Sequence, residues 1–310
     1  MVCFDTRKTI KGDFMEIIKY SEWKETALSI HLILQMMGKV KLERLQPQPQ
    51  WNQVLLHLTP DGFTTGLIPN GERSFMISMN VRESKVETSA ATGRTSSFSL
   101  ASGLSTADYY GEFNRMLGDV TCETKIYTVP QEMSLTTPFE QHTDKRSYAP
   151  RSALHFRLMC IFAHNAELAY ISPFRSRKIM PSMFWGTFDV SSVVFSGKLS
   201  PFPGKGVIEE TAFDEQMIEF GFWPGDDNVD EPTFFILPYP FIADDLTKTP
   251  IKPDKAWFSK EKAEYFITMR DIMSYPDPEK ALNEFFASSY DIVTKHQSWE
   301  NLSWFNKPLP

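Results

Sequence analysis

Residues 23–39, WKETALSIHLILQMMGK, constrain the fold more than any other stretch, because they are apolar nearly all round yet carry one polar row. His31, Gln35 and Lys39 are spaced four apart, and on a helix such residues stand above one another. They would line up among Leu28, Ile30, Leu32, Leu34 and Met36. A helix this apolar is expected to be buried, and buried polar groups need partners. Ser21 and Glu22 fit its start. Gly38, Lys39 and Lys41 fit its end, with glycine in a left-handed cap and cations at the negative pole of the helix. On that view Lys39 is only a capping charge; on the other, the row lines a ligand site. The run is interrupted by His31 and Gln35, and it falls short of the roughly 20 apolar residues a membrane helix needs.

After the prolines of residues 46–50 the period changes to two. Residues 51–58, 63–68, 75–81, 85–89 and 97–100 are expected strands of an antiparallel meander, separated by turn signals such as PDG and PNG. Ser105 or Thr106 caps a second helix through Leu117, and residues 123–129 are expected to form a further strand. A polar, proline-containing link leads into a long helix over 150–170. Residues 183–201 should form two strands, 214–219 a short helix, 221–225 (GFWPG) a tight aromatic turn, and the EPTFFILPYPF segment a strand. A weak strand over 265–269 and a helix over 278–296 follow. The expected fold class is α+β, antiparallel sheets covered by helices.

The organisation expected is a lead-in (1–20), a first half (21–130), a linker (131–149), a second half packed on the first (150–298) and a tail (299–310). The halves echo each other, and F-[TS]-x-x-L-x-P occurs at Phe63 and again at Phe195. Duplication of a helix-strands-helix unit and chance likeness of two hairpins are both open. A ligand cleft is expected at the junction of the halves.

Composition narrows the function classes. With 42% hydrophobic residues the chain can bury a substantial core, and a net charge of −7 argues against nucleic acid or anionic membranes as partners. A local basic patch at Arg175, Arg177 and Lys178 is still open. Cys3, Cys122 and Cys160 are odd in number and unpaired in spacing, which fits reduced thiols and a cytoplasmic setting. Residues 1–14 lack the apolar region of a signal peptide, and Met15 is a second candidate start. The tail tryptophans Trp299 and Trp304 either pack back or anchor a protein partner. Oligomeric state is not set by the sequence.

No metal or cofactor is called for. His155 and His164, nine apart on one helix, face opposite ways. Asp226, Asn228 and Asp230 imitate a calcium loop but lack its glycine and closing glutamate. Ser196 lacks the glycine of a nucleophile elbow, and there is no phosphate-binding glycine loop. What remains is polar groups in apolar surroundings. Asp189 follows the aromatic-rich FWGTF and must find a donor or shift its pKa upward, with a strand end or Lys198 as the bland partner. The candidate ligand-binding residues are His31, Gln35, Lys39, Trp51, Thr64, Thr65, Trp185, Asp189, Ser196 and Trp223. Together they would hold a small polar or anionic metabolite, with Lys39 supplying charge and the tryptophans apolar walls. The alternative is a cofactor-independent hydrolase or isomerase with Asp189 and His31 as an acid-base pair.

Several stretches, WK-x-T-x4-HL-x2-Q-x2-GK (23–39), GFTT-x2-IP (62–69), FWGTFD (184–189), FSGK (195–198) and GFWPG (221–225), jointly resemble a bacterial family of stand-alone proteins of unknown function. The likeness runs from about Trp23 to Trp299 and implies no activity. This chain departs from the family pattern at Lys145 and Ser182, where histidines are expected, and at Ala149 in place of an aspartate. Any chemistry those histidines perform in relatives would be missing here.

Overall fold

The structure, a computed structural model, describes residues 15–309. Cys3, the lead-in before Met15 and the choice of start therefore lie outside the described residues.

The expected first helix, α1, runs over Tyr20–Arg44, longer than its apolar pattern, and nearly every residue from Ile30 to Lys41 is buried. Gly38 does not end it. A Cβ at Gly38 would lie 2.1 Å from the Trp185 indole nitrogen, so the glycine is a flat seat for that ring inside the helix. The helix stops instead just before Pro47 and Pro49, whose rings cannot continue it.

A five-stranded antiparallel meander follows, in the order β1 (His57–Thr59), β2 (Gly62–Thr64), β3 (Phe75–Asn80), β4 (Lys85–Ala90) and β5 (Thr95–Ser99). The strand expected over 51–58 is replaced by a 3-10 turn, Pro49–Val54, ahead of β1. Gln50 and Trp51 there adopt left-handed φ values of 52° and 55°. That backbone aims the Gln50 side chain at Asp214 and lets the Trp51 indole donate to the Ile208 carbonyl at 3.1 Å. Beyond Thr64 the second strand breaks at Gly66, φ 66°, and returns only as a bridge between Ile68 and Phe75. Helix α2 (Thr106–Asp119) is capped by Ser105, as expected.

Helix α3 (Pro150–Ile171) leads to a six-stranded antiparallel sheet in the order β10-β11-β9-β8-β7-β6. Its strands are β6 (Lys178–Phe184), β7 (Asp189–Leu199), β8 (Glu215–Trp223), β9 (Thr233–Tyr239), β10 (Trp257–Ser259) and β11 (Glu264–Thr268). Two expectations fail in β8. Residues 214–219 are strand rather than helix, and the short helix α4 (Val207–Ala212) precedes them. GFWPG is also not a turn throughout: Gly221 to Trp223 complete β8, and only Gly225, φ 97°, turns. Gly221 is required because a Cβ there would meet Phe235 at 2.3 Å and the Ser191 hydroxyl at 2.4 Å.

One face of this sheet, with Phe220, Phe222 and Phe234, packs on α3 and on α6 (Pro278–His296), which follows the short α5 (Met269–Met273). Leu56 bridges to Met183, tying the two sheets, and one hydrophobic core runs through both. The fold class is α+β. Both F-[TS]-x-x-L-x-P segments close the second strand of their sheet, whereas Trp51 and Trp185 occupy different kinds of element.

The basic patch is consumed internally. Lys178 donates to the Ile171, Ser172 and Phe174 carbonyls at the end of α3, and Arg175 binds the Lys307 and Pro308 carbonyls. Arg177 pairs with Glu215. In the tail, which includes the short α7 (Leu302–Phe305), Trp299 is buried against Tyr290, and Trp304 lies exposed beneath Arg175. No described helix is long and apolar enough to cross a membrane.

Replacing a helix-interior glycine by alanine ordinarily stabilises by about 1 kcal/mol. For Gly38→Ala the collision with Trp185 should outweigh this, with a net loss of about 1–3 kcal/mol, read as a lowered urea midpoint.

Candidate functional site

The polar row of α1 is indeed buried, and its partners are specific. His31 Nε2 donates to the carbonyls of Trp185, at 2.9 Å, and Gly186, at 3.1 Å, and its ring stacks on Phe188 at 4.6 Å. Burial pushes its pKa down to about 4, against the pull of those two carbonyls, so the ring is neutral. One turn on, the Gln35 amide donates to the Gln131 carbonyl at 2.8 Å and accepts from the Gln131 N–H at 2.9 Å. Lys39 Nζ donates to the Val129 carbonyl and to Gln131 Oε1, both at 2.9 Å. The rings of Tyr127, Trp185 and Phe139 surround that ammonium at 5.1, 5.8 and 5.9 Å. Burial lowers its pKa to about 8, with Glu43 opposing.

These contacts explain why 123–129 is not the strand its composition suggests. The segment pairs with no strand among the described residues; Arg44 and Lys39 of α1 donate to its Glu123 and Val129 carbonyls, and the Phe139 N–H donates to that of Thr128. Arg44 continues the series by donating to Thr124 Oγ1 at 2.9 Å.

Where this segment meets the turn between β6 and β7 there is a cavity of about 130 Å³. The 3-10 turn contributes Gln50, Trp51 and Val54, α4 contributes Ile208 and Ala212, and the β6-β7 connection contributes Phe184, Trp185, Gly186 and Thr187. Leu42, Leu55, Gln131 and Glu132 complete the wall, so both halves of the chain and the link between them take part. Trp185 is fixed on one side by Gly38 and on another by its own N–H, which donates to the Val54 carbonyl at 3.0 Å.

Glu132 is the residue that sequence reasoning missed. It has a left-handed φ of 56°, and its carboxylate lies over Gly186, where a Cβ would come within 1.7 Å of Oε2. Among the described residues its carboxylate is in no ion pair or hydrogen bond. Glu132 is exposed overall, yet partial desolvation of its carboxyl, then Asp189, then Glu209 raise its pKa to about 7. No pattern in PQEMS announces this; only the pinning of Gln131 next to it would have drawn attention.

Asp189 is 4% exposed and accepts hydroxyl hydrogen bonds from Thr187 and Ser191. Its partner is thus neither Lys198 nor His31, and among the described residues no hydrogen bond joins it to His31. Glu219 projects from β8 on the same side of the sheet as Ser191, and burial raises both carboxyls, with Asp189 raising Glu219 further. Glu167 of α3 is wholly buried, and its carboxyl too is raised, by burial first and then by Asp189 and Glu219.

Of the expected ligand-binding residues, the cavity wall holds Trp51 and Trp185. His31, Gln35, Lys39 and Asp189 are bonded to wall residues or to their neighbours rather than lining it. Thr64 and Thr65 bond the Ile77 backbone in the other sheet, Ser196 accepts from the Lys198 N–H at 3.1 Å, and Trp223 ends β8. Asp226 binds the Asn228 and Val229 amides, and Asp230 binds that of Ser21. Among the described residues no group of histidines, cysteines and carboxylates has metal-binding geometry.

The raised carboxyls keep protons in the folded chain that the unfolded chain releases above about pH 4. Folding stability should therefore fall as pH climbs from about 5 to about 8. Glu219→Gln should flatten that decline, as read by thermal unfolding at a series of pH values.

No curated protein and no solved structure matches the chain. The model of a family of unknown function, DUF5996, matches residues 16–304, which take in α1, both sheets and every wall of the cavity. The chain belongs to that family.

Proposed function

We propose that the protein binds a small molecule in the cavity between its two halves, with an apolar body of about the size of one ring held between Trp51 and Trp185. The observation that carries this reading is the cavity itself, about 130 Å³ with mostly apolar walls. It is close in size to an engineered cavity of about 150 Å³ that takes up benzene. Its walls are held from behind by Gln35, His31 and the Trp185 N–H, and such preorganisation lowers the cost of binding.

An anionic ligand was expected from Lys39, but that ammonium is engaged by Val129 and Gln131 and does not line the cavity. The acid-base reading has less support, since His31 is neutral and bonded to carbonyls while Asp189 is occupied by two hydroxyls. A cytoplasmic setting is in keeping with Cys122 and Cys160, which are buried and unpaired.

Benzyl alcohol is a suitable first probe. At about 100 times its dissociation constant a ligand adds roughly 2.7 kcal/mol, so the unfolding temperature should rise by a few degrees. Ala212→Phe, which fills the cavity from α4, should abolish the rise. A rise that survives this substitution places the ligand elsewhere.

A further inference from the structure

We propose that the cavity selects an amine: a ring-sized ligand carrying an ammonium head that docks on the Glu132 carboxylate. This rests on the cavity being the binding site and adds the charge of what enters it.

Three observations converge. The first is that Glu132, exposed to solvent overall, is a wall residue whose carboxylate is in no ion pair or hydrogen bond among the described residues. The ionisable groups that bear on it are all acids, Asp189 from β7, Glu219 from β8 and Glu209 from α4. Of the cations in this region, Arg177 is paired with Glu215, while Lys39 and Lys41 are held on carbonyl oxygens of Val129, Gln131 and Leu55 and do not line the cavity. An anionic head would meet this field unfavourably, whereas an ammonium would neutralise it.

The second observation is aromatic. Trp51 and Trp185 line the same cavity, and both indole N–H groups are already donating to backbone carbonyls. What they offer a ligand is ring surface, which attracts cations.

The third is backbone geometry. Glu132 keeps a left-handed φ that a residue with a side chain adopts at a cost, and Gly186 leaves the space its carboxylate occupies. Gln35 pins the preceding peptide at two points, so the carboxylate is positioned before any ligand arrives.

The test compares benzylamine, benzyl alcohol and benzoate by calorimetry on the full chain at pH 8 and pH 6. Benzylamine should bind about tenfold or more tighter than benzyl alcohol at pH 8. Its advantage should shrink at pH 6, where Glu132 takes up a proton that the amine must displace, while the alcohol is unaffected. Glu132→Gln should erase the advantage and keep the alcohol's affinity, which also reports an intact cavity. Equal affinity for amine and alcohol, tighter benzoate, or an amine preference that survives Glu132→Gln overturns the proposal and leaves the cavity as a binding site. Failure of all three probes removes the binding reading as well.

Discussion

Residues 129–131 obtain their backbone hydrogen bonds from side chains of α1, and most of the functional region depends on that substitution. A segment lying against an apolar helix has no strand to pair with, and each buried peptide group left alone would cost about 1–3 kcal/mol. Gln35 offers a donor and an acceptor in the arrangement of a peptide group, so it pairs with Gln131 as another strand would. Lys39 and His31 extend the same arrangement one turn either way, one to Val129 and the other to the turn after β6. The polar row is therefore scaffold for the site's walls rather than its lining.

Because α1 holds both the Gln131 segment and the Trp185 turn, the relative placement of the cavity's walls is set by one rigid helix. The acidic groups on the far side are arranged by the six-stranded sheet: Asp189 at the start of β7 and Glu219 on β8 alternate with inward-facing aromatics. Asp189 is met by hydroxyls, from Thr187 and Ser191, rather than by a cation.

Much of this architecture was legible in the sequence. The helices expected over 150–170 and 278–296 match α3 and α6 within a residue. The turn signals PDG and PNG bounded the first meander. Local pattern failed where tertiary contacts decide conformation. EQMIEF reads equally as helix or strand until β7 and β9 flank it, and 123–129 reads as a strand until its partners prove to be side chains of α1 and the Phe139 N–H. The row His31, Gln35, Lys39 was visible as an anomaly, but its partners lie about 90 to 155 residues away and no spacing rule reaches them. Glu132 was invisible for the same reason: its significance comes from a left-handed backbone and a glycine in another element.

The seat of the Trp185 ring on Gly38 makes two distant positions a single inherited unit. A relative that carries any side chain at the first must carry a smaller residue at the second, and the cavity would then deepen toward α1. Across the family, variation in what the site accommodates should therefore be written partly on position 38, a buried helix position outside the cavity wall.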